Sequence, residues 1–103
     1  DMYPIQTSAL MAPIYELLKV STDWLVSKGV DQSKATSYVT ELFLGLSQDA
    51  VNKKSNGLKN LVAESQTPKG LNEQALKELQ RGKFYSKLNK ILNSIHTRLN
   101  KAK

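Results

Sequence analysis

The chain has 103 residues, 40% of them hydrophobic, which suffices for one compact core and falls short of two independent domains. It contains no cysteine. That excludes a disulfide framework, a thiolate metal cage and a cysteine nucleophile, and it suits a reducing compartment, with the cytoplasm as the expected location. The formal net charge of +6 raises a nucleic-acid reading, yet the lysines occur in almost every segment with only a mild concentration after Gly82. A solvated, solubilising surface is the expectation, and a phosphate-tracking stripe is its rival.

No apolar run approaches the roughly 20 residues needed to cross a bilayer, and Asp1-Met2-Tyr3-Pro4 lacks the basic, apolar, small-residue order of a signal peptide. A soluble, non-membrane chain is expected. A first residue of Asp rather than Met reads as a piece of a longer protein. Residues 1–103 form one expected helical domain, of which residues 1–10 are a linker into the first helix.

Ala12-Pro13 predicts a helix start, because proline at the first helical position gives up only an N–H that has no partner there. The first helix runs to about Lys28, and Gly29 supplies a left-handed stop. Its apolar residues Ile14, Tyr15, Leu17, Leu18, Val20, Trp24, Leu25 and Val26 cover more than one stripe, so a second buried surface is implied. Asp31 is a good N-cap for a second helix carrying Ala35, Val39, Leu42, Phe43, Leu46 and Ala50 at helical spacing. Gly45 inside this helix costs about 1 kcal/mol relative to Ala, and close helix packing is the expected reason for it. Asn52 to Lys54 ends the helix, and Ser55-Asn56-Gly57 is turn chemistry before a short third helix with Leu58, Leu61 and Val62.

Thr67-Pro68-Lys69-Gly70 is the sharpest break in the chain. A fourth helix follows with Leu71, Ala75, Leu76 and Leu79 inward, ended by Gly82. The last has Phe84, Leu88, Ile91, Leu92, Ile95 and Leu99 on one face and Lys87, Lys90, Asn93, Ser94 and Arg98 opposite. An all-α fold of about five helices is predicted, with no competing strand pattern.

Catalytic groupings are scarce. His96 is the only histidine and has no carboxylate at metal-ligand spacing, so it reads as a surface or boundary residue, and no metal is expected. The acidic residues form no acid and base couple of the glycosidase kind, and no Gly-rich phosphate loop or nucleophile elbow is present. No catalytic and no cofactor-binding residue is assigned. What remains is the turn that feeds the fourth helix. Backbone amides of Gly70, Leu71 and Asn72, with the Thr67 hydroxyl and the Asn72 side-chain amide, could close around a carboxylate. The alternative is that Thr67 or Asn72 caps its own helix.

Thr67-Pro68-Lys69-Gly70-Leu71-Asn72 resembles the Ser/Thr-Pro-Gly-Gly-Thr/Leu-Thr/Asn turn in the C-terminal domain of pyrroline-5-carboxylate reductases. Ala12-Pro13-Ile14-Tyr15 is similar to that family's Gly-Pro-Ala-Tyr at the start of its long first domain helix. Gly29-Val30, Leu44-Gly45, Leu58-Lys59-Asn60, Leu79 and Gly82-Lys83-Phe84 agree in order and spacing, so the resemblance runs from about Ala9 to Leu99. Three places depart from the pattern: Lys69 stands at the first turn glycine, Ala9-Leu10-Met11-Ala12 at the usual Ser-Gly-Ser-Gly, and Ala63-Glu64-Ser65-Gln66 lengthens the approach to the turn.

The resemblance implies a helical dimerisation domain like the C-terminal domain of 6-phosphogluconate dehydrogenase, with the N-terminal Rossmann domain absent from this chain. It implies a parent enzyme that reduces 1-pyrroline-5-carboxylate to proline with NADP or NAD, held mainly by the missing domain, while this chain alone is inactive and binds no cofactor. It further implies a homodimer, with larger rings left open, and a small imine-acid substrate whose carboxylate is received by Thr67, Gly70, Leu71 and Asn72. Membrane partners are not expected. The rival function is a free-standing basic helical module that binds nucleic acid or an acidic protein through Lys83, Lys87, Lys90, Arg98 and Lys101.

Overall fold

The computed structural model describes residues 3–53 and 57–101. Among them there is no strand, and five helices have eight residues or more: Met11–Ser27, Gln32–Lys53, Gly57–Glu64, Leu71–Arg81 and Phe84–Lys101. A sixth, Tyr3–Thr7, is short and runs through a 3-10 turn at Ser8–Leu10 straight into the first long helix. In chain order these helices are α1 (Tyr3–Thr7), α2 (Met11–Ser27), α3 (Gln32–Lys53), α4 (Gly57–Glu64), α5 (Leu71–Arg81) and α6 (Phe84–Lys101). The stretch read as a linker is therefore helical over much of its length. Pro4 is no obstacle, since it lies in the first turn of α1, where the missing N–H has no acceptor.

The helix ends follow from local chemistry. At the end of α2, Val30 N–H donates to the Leu25 carbonyl at 3.1 Å and Gly29 N–H to Val26 at 2.9 Å. Gly29 has a φ of 100°, as a paired glycine stop of this kind requires. Asp31 Oδ2 then accepts from the backbone amides of Ser33 at 3.1 Å and Lys34 at 3.3 Å, which caps α3. Pro13 occupies the third position of α2, still within the first turn, so the helix begins two residues earlier than its position suggests. Ser55 and Asn56, read as a turn, lie outside the described residues.

The chain divides into two compact units, one from Met11 to Leu61, the other joining the residues up to Leu10 with those from Val62 onward. In the first, α3 packs on α2, and Ala35, at 0% exposed, and Val39, at 3%, are the buried apolar residues, with Thr22 buried opposite. In the second, α6 packs against both α1 and α5. Gln6, a buried polar residue of α1, brings its side-chain amide to 3.1 Å from Nδ1 of His96 on α6. Asn100 stands 3.0 Å from Nε2 of the same ring. Which ring nitrogen donates and which accepts depends on the tautomer. His96 is thus a structural tie between α1 and α6.

Three expectations about buried faces need correction, the first being that α5 turns Leu71, Ala75 and Leu79 inward: all three are exposed, and only Leu76 is half-buried. Leu42 and Leu46 of α3 are exposed, as are Leu17, Val20 and Trp24 of α2, because a pair of helices covers only the stripe between them. Gly45 has nothing within 4 Å of where a Cβ would stand. Packing inside this chain is therefore not what calls for it.

Candidate functional site

The turn before α5 is built by its own backbone. Gly70 N–H donates to the Thr67 carbonyl at 2.7 Å, closing a four-residue turn with Pro68 at its second position. Lys69, at the third, has a φ of 64°. Proline followed by a positive φ is the type II pattern, in which the third position belongs by preference to glycine. Lys69 instead holds a left-handed conformation that costs an L-residue about 1–2 kcal/mol.

Gly70 is needed for a different reason. Its φ of −88° is open to any residue, but a Cβ there would stand 2.9 Å from the Thr67 carbonyl oxygen and 3.2 Å from Thr67 Cβ. The chain then enters α5 with Gly70 as N-cap and with no side chain hydrogen-bonded to the cap. Neither Thr67 nor Asn72 caps the helix, which removes that alternative. Gln74 N–H closes the first helical bond to the Gly70 carbonyl at 3.1 Å, leaving the amides of Leu71, Asn72 and Glu73 without an intrahelical acceptor. Partial positive charge gathers at this end of α5.

Glu73 belongs to the same locality, and sequence reasoning missed its part. Its Oε1 accepts from the backbone amide of Lys69 at 3.1 Å, reaching back over the turn one residue further than a capping-box glutamate, which takes the amide of the cap itself. Lys77 Nζ lies 3.6 Å from the same oxygen. The signal was available, since an acid three residues after a helix cap has this reach.

Thr67, Leu71 and Asn72 are exposed, Gly70 is half-buried, and Leu71, at 84% exposed, stands further into solvent than any other large apolar residue described. The turn is thus an open edge with one wall. A shallow concavity lined by Ser47, Gln48, Val51 and Asn52 on α3 includes none of these residues. Elsewhere, Lys19 donates to Asp23 at 2.8 Å, and that hydrogen bond, with the Asp23 and Glu16 charges, raises the ammonium pKa above its ordinary value. Both side chains of this pair are exposed, and it lies on α2, apart in sequence from the turn. Among the described residues no three His, Asp or Glu side chains gather as a metal site, and no helix is long and apolar enough to cross a membrane.

Comparison with known proteins identifies the family. The family model described as pyrroline-5-carboxylate reductase dimerisation matches residues 5–102, which takes in the turn, α5 and every long helix. No curated protein and no solved structure gives a significant match. With all but the extreme residues of the chain matched, and an all-helical architecture in agreement, the chain belongs to the pyrroline-5-carboxylate reductase dimerisation family.

Proposed function

We propose that this chain is the dimerisation and substrate-carboxylate-binding part of an NAD(P)H-dependent reductase that converts 1-pyrroline-5-carboxylate to proline. The observation that carries the reading is the uncapped start of α5 behind the Thr67–Gly70 turn. The amides of Leu71 and Asn72, the Asn72 side chain and the Thr67 hydroxyl are the donors for a carboxylate. Gly70 keeps the turn tight enough for its backbone to face the ligand.

The residues of this chain do not fit a nicotinamide dinucleotide, since no Gly-x-Gly-x-x-Gly turn and no strand to carry one is present in the sequence and the described structure. Hydride transfer therefore belongs to another part of the parent protein. What these residues contribute is orientation of the imine acid and electrostatic support for its carboxylate. None of them is asked to move a proton.

Dimerisation is supported by the surface. The accessible area is 8690 Å². A single folded body of this mass exposes about 5,800 Å², and even two separate bodies of half that mass expose about 7,000 Å². An excess of that order is what one protomer contributes to an obligate homodimer. A second copy also gives the open turn its missing wall.

The test is Asn72→Ala in the parent reductase. The Michaelis constant for the imine acid should rise about tenfold to a hundredfold, as expected for loss of a charge-assisted hydrogen bond, while that for the cofactor stays put. Because Asn72 makes no cap bond, the melting point should hardly move. An unchanged substrate constant would remove the carboxylate site.

A further inference from the structure

Gly45 sits in the middle of α3, a helix of 22 residues, where glycine is among the weakest helix formers. Such a residue has a recognisable use when another backbone must pass close by. Nothing else in this chain passes: apart from the neighbouring residues and backbone of α3 itself, no heavy atom lies within 4 Å of the Cβ position, and the φ is not one that calls for glycine. At 100° per residue Gly45 lies about 120° round the helix from the stripe of Ala35, Val39 and Phe43 that faces α2. Leu42 and Tyr38, one and two turns before it, are both exposed, at 47% and 64%. The notch and its apolar shoulder therefore form one uncovered surface.

From this we infer that Gly45 marks the point where a helix of a second copy of this chain crosses α3. The inference rests on the dimer reading above and refines it to one contact. Family membership names the kind of occupant, because the matched region that contains Gly45 is a dimerisation region. The missing side chain lets the partner's backbone sit in the notch, with Tyr38 and Leu42 packing alongside it.

Two variants of the chain decide the matter, read by light scattering for mass and by circular dichroism for helicity and melting. Gly45→Ala adds one methyl into space that is open within the chain. With a partner in the notch it should raise the dimer dissociation constant about tenfold or more and leave the melting midpoint level or lower. With no partner there it should only improve the helix, raising the midpoint by about 4 °C with the mass unchanged. Gly45→Leu should turn the dimer into a monomer whose far-ultraviolet spectrum stays helical. A wild-type dimer whose Ala variant melts higher and whose Leu variant still dimerises overturns the crossing and leaves the dimer reading intact. A wild-type chain that is monomeric at every concentration overturns both.

Discussion

The carbonyl oxygen of Thr67 accepts from Gly70 N–H at 2.7 Å and lies 2.9 Å from the place a Cβ on Gly70 would take, so one oxygen both closes the turn and forbids a side chain there. Gly70→Ala must push the two strands of the turn apart. A net loss of about 1 kcal/mol is expected, close to 4 °C or more in melting midpoint for a domain of this size. An unchanged midpoint would mean that the Thr67 carbonyl yields without cost.

Lys69 offers the opposite change. Its φ of 64° is held against the preference of an L-residue, so Lys69→Gly should stabilise the chain by up to about 1 kcal/mol, whereas Lys69→Ala, which keeps the Cβ, should not. Thermal melts of the two variants side by side give the answer. Equal midpoints would show that the turn carries no strain at this residue.

Gln6 and His96 are ninety positions apart and in contact at 3.1 Å. Replacing Gln6 with Ala removes a buried hydrogen-bonding partner and should cost about 1–2 kcal/mol, seen as a lower denaturant midpoint. Hydrogen exchange should speed up in the facing part of α6. If exchange there is unaltered, the tie between α1 and α6 does not form in solution.

Leu42→Asp and Lys90→Glu separate interface from solvated surface. Leu42 is exposed within the chain and, in a dimer through α3, is covered by the partner, so an aspartate there buries an unpaired charge. Dissociation is expected for Leu42→Asp, and no change in mass or melting for Lys90→Glu on the exposed face of α6. A Leu42→Asp variant that remains a dimer would move the interface off this face.

Features decided within a few residues could be read from the sequence: the Gly29 stop, the Asp31 cap, the break at Pro68 and the amphipathic pattern of α6. Each depends on backbone groups one turn away. The short helix α1 could not, because five residues carry too little helical preference of their own and its support comes from His96 at the far end of the chain. The periodicity of Leu42 and Leu46 revealed an apolar face and could not say whose surface covers it. Around the turn, sequence marked the break at Thr67–Gly70 and the helix start at Leu71, while the absence of a side-chain cap emerged only from the geometry, and the reach of Glu73 to the Lys69 amide was signalled by its spacing but not read.

The pairing of α1 with α6 also sets an order of events in folding. Helices α2 and α3 join through a short link and can associate as soon as both are made, and the same holds for α5 and α6 across Gly82 and Lys83. Helix α1 has no sequence-adjacent helix of that kind to pack on: it packs against α6, which the chain reaches only after α2 to α5. Closing so wide a loop adds little to the equilibrium cost but delays the contact. Helix α1 thus gains its packing only after the helices that follow it in this chain, although it precedes them in sequence.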